Sequence, residues 1–207
     1  MNLQESTTSP LFFQASRWLR GAHRQTIWPL FIKGPLPPYR RQRWDTLDGD
    51  FIDLDWVDGL PDQPCVVLFH GLEGSSRSPY ARSLMHAIHA RGWHGVVVHF
   101  RGCSGEPNRL PRAYHSGDAE EINWILRRIH ALRWPALFAA GVSLGGNALL
   151  KWLAENAPEA SCLLNAAATV SAPVDLAAAE GELARGLKRA YARYFLRSLV
   201  PKALEKA

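Results

Sequence analysis

The residues best suited to covalent chemistry lie at 141–146, in the hexapeptide GVSLGG. This G-x-S-x-G pattern directly follows an apolar run, Ala136 to Ala140, and opens a helical stretch. Strand before and helix after are typical of a nucleophile elbow, where small residues two before and two after the serine let neighbouring backbone approach. The turn also sets the Ser143 hydroxyl at a helix N-terminus, which favours a developing negative charge. We therefore predict Ser143 as a nucleophile; the alternative is a plain glycine-rich turn.

Acyl transfer also needs two N–H donors aimed at the oxyanion. Leu144, directly after the nucleophile, is expected to provide one. The other is expected from a loop after an earlier strand, and the segment HGLEG at 70–74 follows the apolar run Cys65 to Phe69. The Leu72 N–H is our candidate for this second donor. His70 belongs to the same loop, and we interpret it as a structural brace rather than as the catalytic base.

Several short apolar runs predict the strands that position these residues. They are too short for helices, and helix-length stretches separate them, as in βαβ units with a parallel sheet. The runs are Cys65 to Phe69, Val96 to Phe100, Ala136 to Ala140 and Leu163 to Val170. The pattern predicts an α/β fold with a mostly parallel sheet and helices on both faces.

Helices are predicted after Pro79, from Leu144 to Asn156, and between the second and third runs. Ser116 or Asp118 is expected to cap the last of these, and its buried face is predicted from apolar spacing as Ile122, Ile125, Ile129 and Leu132. Upstream, a β-hairpin is predicted from Arg41 to Thr46 and from Phe51 to Val57. Because apolar residues alternate with Asp53 and Asp55, we expect a half-exposed edge there.

The length and composition predict one domain over residues 1–207, since 47% of 207 residues are hydrophobic and 21% charged. We divide it into an N-terminal segment with the hairpin (1–60), the core sheet with the predicted nucleophile (61–175), and a C-terminal helical region (176–207). A proline-rich connector at 34–38 follows the first part of the N-terminal segment.

Composition also limits the partners. The net charge is +5, but 24 basic residues are mixed with 19 acidic ones, so we expect no nucleic-acid partner. Three widely spaced cysteines, Cys65, Cys103 and Cys162, argue against a disulfide framework and suit the reducing cytoplasm. The sequence has no metal-ligand cluster and no phosphate-binding loop, so no cofactor is implied. It also has no signal-peptide pattern and no apolar run long enough to span a membrane.

The segment from Leu11 to Ile32 combines aromatic residues with arginines. Such a segment could contact a membrane surface. Gly21 and Pro29 interrupt any long amphipathic helix, so the interpretation we favour is that it folds back onto the domain.

A series of short blocks across nearly the whole chain resembles the YheT-like family of α/β-hydrolase esterases. The blocks, in order, are HRQT (23–26), DGDF (48–51), HGLEG (70–74), SPY (78–80), HFRGCSGEPN (99–108), YHSG (114–117) and SLGGN (143–147). The resemblance implies an α/β-hydrolase sheet, a Ser/Asp/His charge relay, and carboxylic ester or acylglycerol substrates. It also implies that residues 176–207 are the start of a helical cap region.

The chain departs from that family after the serine. In this fold the acid and the histidine follow the nucleophile, but no histidine follows Ser143, and the only later aspartate, Asp175, is expected to cap a helix. His99 and His115 lie near loops that could face the site, and we interpret both as structural. We therefore expect a C-terminally truncated chain with little or no turnover, or alternatively an inactive binding or scaffold protein. An open sheet edge would then favour self-association.

Overall fold

The computed structural model describes residues 14–31, 34–183 and 189–206 of the chain. It contains two compact units, residues 1–34 and residues 35–207, divided within the proline-rich connector. In the first unit a 3₁₀ turn, Arg17–Leu19, precedes helix α1, Ala22–Phe31. No helix among the described ranges has the length and apolar character needed to cross a bilayer.

The second unit is built on a six-stranded sheet with the order β1-β2-β4-β3-β5-β6. The strands are β1 (Arg40–Asp45), β2 (Phe51–Val57), β3 (Cys65–Phe69), β4 (His94–Val98), β5 (Leu137–Val142) and β6 (Ala166–Val170). The pairs β4/β3, β3/β5 and β5/β6 are parallel, whereas β1/β2 and β2/β4 are antiparallel. This is the predicted α/β architecture with a mostly parallel sheet.

The helices of this unit cover both faces of the sheet. They are α2 (Pro79–His89), α3 (Ala119–His130), α4 (Leu144–Glu155), α5 (Ala157–Leu163), α6 (Leu176–Leu183) and α7 (Arg189–Leu204). Alternate residues of β3 pack on opposite sides: Val67 lies in the cluster with α3 and α4, and Leu68 in the cluster with α2. Burial on both faces explains why the run reads as continuously apolar.

Several boundaries differ from the predictions: β4 ends at Val98, and β5 extends to Val142. Asp118 caps α3, because its side chain accepts a hydrogen bond from the Glu121 N–H. Ile122, Ile125 and Ile129 are buried as predicted, but Leu132 is 52% exposed because the helix already ends at His130. The sequence up to Leu163 belongs to α5, so β6 begins only at Ala166.

The hairpin forms an antiparallel edge of the sheet as predicted, with β1 outermost and exposed except at Trp44, but its second strand is not half-exposed. Strand β2 lies between β1 and β4, and all seven of its residues are buried. Asp53 and Asp55 are buried because arginines of β1 pair with them: Arg43 contacts Asp53, and Arg41 contacts Asp55, each through two nitrogens at 2.8–2.9 Å. Such paired hydrogen bonds make a buried carboxylate tolerable. The prediction failed because alternating charge was taken to mean contact with solvent.

Candidate active site

Ser143 occupies a sharp turn between β5 and α4. Its backbone angles are φ 52° and ψ −117°, a left-handed conformation that residues with a Cβ rarely adopt. Two hydrogen bonds hold the turn: the Ser143 N–H donates to the Val170 carbonyl at 2.9 Å, and the Asn147 N–H donates to the Ser143 carbonyl at 2.9 Å. Strand β6 and the first turn of α4 therefore fix the direction of this serine.

The flanking glycines allow backbone segments to pack against this turn. A Cβ built on Gly145 would lie 2.4 Å from the His70 carbonyl oxygen, and one built on Gly141 would lie 2.6 Å from the Gly146 Cα. Both distances are far below van der Waals contact. The two glycines of the G-x-S-x-G pattern are thus required because a Cβ at either position would collide with neighbouring backbone.

The loop at 70–74 borders the serine directly. A Cβ built on Gly71 would lie 3.3 Å from the Ser143 Cβ. The Gly71 N–H donates to the Tyr80 hydroxyl at 2.9 Å, and the Gly74 N–H donates to the Gly71 carbonyl at 2.9 Å. These bonds close a turn with Leu72 and Glu73 at its centre, and Gly71 is the residue of this turn that approaches the serine.

The two predicted oxyanion donors have N–H groups without an acceptor. Among the residues that the structure describes, neither the Leu72 N–H nor the Leu144 N–H donates a hydrogen bond. Leu144 is the first residue of α4, and the N–H groups of a first helical turn have no intrahelical acceptor. Both residues therefore retain donors that a ligand could use.

His70 is held by the backbone on both sides of its ring. Its Nε2 accepts a hydrogen bond from the Phe100 N–H at 3.1 Å, so the proton resides on Nδ1, which donates to the Gly71 carbonyl at 2.7 Å. Burial lowers the pKa of His70 to about 3. A neutral ring with both nitrogens engaged is unavailable as a base, and it braces the loop next to Ser143.

The other candidates from the sequence are also engaged elsewhere. His99 is buried, and its Nε2 bonds Asp55 Oδ2 at 2.8 Å. His115 is exposed, and its Nδ1 accepts a hydrogen bond from the Gly117 N–H. Asp175 caps α6, because its carboxylate accepts from the Ala178 N–H at 2.9 Å. Within the described part of the chain, none of these groups bonds to Ser143.

Asp55 is a buried carboxylate that accepts hydrogen bonds from Arg41, Ser76 and His99. Burial opposes its ionisation, but hydrogen bonds from Arg41, His99 and Ser76 outweigh burial and hold the pKa of Asp55 well below its usual range. It is therefore an anion that joins β1, β2, β4 and the segment after the 70–74 loop.

Sequence reasoning missed Glu73, which links that loop to distant parts of the chain. Its carboxylate accepts hydrogen bonds from Tyr114, Ser198 and Lys202, and the last two lie on α7. The available signal was a carboxylate within a loop of otherwise small and apolar residues. Its partners lie 41 to 129 positions away and could not be inferred from local spacing.

The fold and the serine between a strand and a helix agree with a comparison of the sequence with known protein families. The sequence pattern of the α/β hydrolase fold matches residues 64–203. The chain belongs to the α/β-hydrolase family. It is 44% identical over 200 residues to "Putative esterase YheT" of Escherichia coli (strain K12), which covers 94% of this chain and 58% of that relative. The resemblance inferred from the sequence blocks is thereby confirmed.

Other relatives extend this comparison. The chain is 32% identical over 199 residues to phospholipase ABHD3 of Bos taurus, covering 91% of this chain and 48% of that protein. It spans about half the length of the curated relatives it matches. These relatives are named as an esterase and a phospholipase, and they group the chain with hydrolases.

Solved structures show the same fold. An esterase from Pyrococcus furiosus superimposes with a TM-score of 0.54 at 19% identity, covering 70% of this chain and 58% of that one. An α/β serine hydrolase without lid from Xanthomonas campestris gives 0.53 at 19% identity, covering 69% and 66%. At this level of identity the similarity concerns the fold alone.

Proposed function

We propose that the chain provides the nucleophile and the oxyanion hole of a serine hydrolase acting on carboxylic esters, of the esterase or acylglycerol lipase type. Ser143 is the nucleophile, and the Leu72 and Leu144 N–H groups are the oxyanion donors. The observation that carries the proposal is the left-handed Ser143 between strand and helix, with the 70–74 loop packed against it.

The chemistry assigned to these residues is acyl transfer. The Ser143 hydroxyl oxygen bonds to the ester carbonyl carbon, the carbonyl π electrons move to oxygen, and two N–H donors stabilise that oxyanion. The serine proton must pass to a base. His70 cannot take it, since both of its nitrogens are engaged by backbone. No histidine follows Ser143 in the sequence, and neither His99 nor His115 bonds to it, so the described residues assign no base to this serine.

The test is covalent labelling with a fluorophosphonate probe, together with p-nitrophenyl ester turnover. Any labelling of the wild type should persist in Ser171→Ala and be lost in Ser143→Ala. Ser171 is a suitable control because it also has a positive φ and follows the adjacent strand. Labelling that persists in Ser143→Ala would rule out Ser143 as the nucleophile.

A second function has its own supporting observation. Among the described residues no side chain donates to or accepts from the Ser143 hydroxyl, as a non-catalytic binding or scaffold protein would also show. A folded wild type that the probe leaves unlabelled favours this function. Turnover by the purified chain that depends on Ser143 excludes it.

Contact with an anionic membrane surface is a proposal for the first unit. Trp18 is 54% exposed and Phe31 is 76% exposed, and Arg17, Arg20 and Arg24 accompany them. Aromatic and cationic side chains together favour the interface of anionic lipids. Wild type should co-sediment with phosphatidylserine-containing vesicles and less with pure phosphatidylcholine. Trp18→Ala should weaken the binding, whereas Leu47→Ala, an equally apolar exposed site in the second unit, should not; equal loss in both would contradict the proposal.

Self-association and a cytoplasmic location are also proposed. Strand β6 pairs with β5 on one side, and four of its five residues are exposed. An uncharged exposed edge favours pairing with another chain. Light scattering should show oligomers that Ala167→Lys dissociates, and a monomeric wild type would contradict this. The three cysteines are free thiols, as suits a reducing compartment.

A further inference from the structure

Glu73 lies one residue after the proposed oxyanion donor Leu72, and three side chains donate hydrogen bonds to its carboxylate. Its Oε1 accepts from the Tyr114 hydroxyl at 2.9 Å. Its Oε2 accepts from Lys202 Nζ at 2.6 Å and from the Ser198 hydroxyl. The side chain is only 6% exposed. A carboxylate this buried and this completely bonded is held in one position.

The main chain of Glu73 is fixed by the same phenol. The Glu73 N–H donates to the Tyr114 oxygen at 2.9 Å, while the Tyr114 O–H donates back to the carboxylate. Tyr114 in turn stacks on Phe100, with ring centroids 5.2 Å apart. Glu73 has φ 53°, a conformation unfavourable for a residue with a Cβ. The reciprocal bonds to Tyr114 keep it there. They fix the Leu72–Glu73 peptide group, which is the next one along the chain from the Gly71–Leu72 peptide that carries the Leu72 N–H.

The negative charge of Glu73, next to the proposed oxyanion donor Leu72, requires a counter-ion. Burial opposes ionisation, yet the hydrogen bonds from Lys202, Ser198 and Tyr114 hold the pKa of Glu73 below its usual range, so it is an anion. A bare anion beside an oxyanion donor would repel the charge that develops during acyl transfer. Lys202 on α7 neutralises it.

We propose that Glu73 is a positioning residue of the 70–74 loop. It is bonded to α7 through Lys202 and Ser198, and to the loop after β4 through Tyr114. Docking of α7 thereby fixes the orientation of the Leu72 N–H toward the oxyanion. The role in catalysis rests on the proposed function. The tie between loop and helix does not.

Cys103 gives a readout that needs no catalysis. It lines the same cleft of about 290 Å³ as Glu73, Ser198 and Lys202, and its sulfur lies 3.9 Å from Glu73 Oε1. Burial raises the pKa of Cys103 to about 11, and the positive charge of Lys202 partly opposes this. Replacing Lys202 by methionine therefore makes the thiol intrinsically less reactive. Faster alkylation of Cys103 in Lys202→Met can come only from greater access.

The experiment measures alkylation of Cys103 by N-ethylmaleimide in a Cys162→Ser background, which removes the exposed cysteine. Lys202→Met should accelerate the reaction at least about fivefold and should raise amide hydrogen exchange in residues 70–74, since opening there becomes easier. Lys202→Arg should restore the wild-type rate to within about twofold, because it retains the charge.

Lys206→Met is the matched control. Lys206 lies just after α7 and bonds Asn108 instead, at 2.6 Å, so its loss should change the Cys103 rate by less than about twofold. Equal acceleration by Lys206→Met would indicate general undocking of the helix and overturn the assignment to Glu73. Unchanged alkylation and exchange in Lys202→Met at an unchanged Tm would overturn it as well.

The probe reaction separates this inference from the proposed function. With Ser143 labelled in the wild type, Lys202→Met should slow labelling at saturating probe without weakening probe binding. If Cys103 and the 70–74 amides respond as expected but the wild type is never labelled, the tie between loop and helix stands and the proposed function fails. If the wild type is labelled and Lys202→Met changes none of these rates, the inference fails alone.

Discussion

The backbone conformation of Ser143 predicts that glycine is more stable than alanine at this position. With φ 52° and ψ −117°, the residue lies where a Cβ is sterically unfavourable, and such strain is worth on the order of 1–3 kcal/mol. Ser143→Ala keeps the Cβ, whereas Ser143→Gly removes it. The added freedom of glycine in the unfolded chain offsets about 0.5–1 kcal/mol. The net expectation is that Ser143→Gly exceeds Ser143→Ala in unfolding free energy by about 0.5–2 kcal/mol.

Thermal unfolding followed by circular dichroism measures this difference. For a chain of this size 1 kcal/mol corresponds to roughly 2–4 °C in Tm, so the glycine variant should unfold about 1–8 °C above the alanine variant. Ser83, exposed within α2, is the matched control. There Ser83→Gly should be less stable than Ser83→Ala by about 1 kcal/mol, because the backbone is helical. If Ser143→Gly were also less stable than Ser143→Ala, the inferred backbone strain at Ser143 would be refuted.

Three further predictions concern stability. Gly145→Ala should lower the unfolding free energy measured in urea by about 2–3 kcal/mol, because its Cβ would meet a backbone oxygen at 2.4 Å. The control is Gly181→Ala, whose Cβ would have nothing within 4 Å, and it should raise the unfolding free energy by up to about 1 kcal/mol. Equal effects of the two substitutions would contradict this reasoning. Asp55 has a lowered pKa, so its contribution is present above the unfolded pKa of about 4 and is lost as pH falls. Asp55→Asn should cost about 3 kcal/mol at pH 7 and flatten the acid dependence; an unchanged urea midpoint would contradict it. His70 binds its proton only near pH 3 when folded but near 6.5 when unfolded, so stability falls with acidification in that window. His70→Gln should reduce the difference between pH 7 and pH 5 by about 2 kcal/mol, and an unchanged difference would exclude this role.

The central strands could be predicted from the sequence because burial on both faces leaves a simple apolar signature. The run Cys65 to Phe69 coincides with β3, and the turn at Ser143 lies between strand and helix as expected. Asp118 at the start of α3 was recognisable because capping depends only on residues three positions apart. Local chemistry was sufficient in each case.

Features that depend on distant partners could not be predicted in this way. Alternating Asp53 and Asp55 indicated exposure, and only the register with β1 shows that arginines cover them. The sequence gives no indication of a partner for Glu73, and its counter-ion Lys202 lies 129 positions away on α7. A charged side chain gives no sign in its own neighbourhood that its counter-ion lies far along the chain.

The strand order also constrains when the turn at Ser143 can form during synthesis. The β1/β2 hairpin pairs residues close in sequence, but β3 lies between β4 and β5 and gains its second neighbour only after Val142 has been made. The Ser143 N–H then needs the carbonyl of Val170. A nascent chain can therefore assemble most of its sheet while the serine turn is still open, and the left-handed conformation is imposed last, by a strand made after the serine itself.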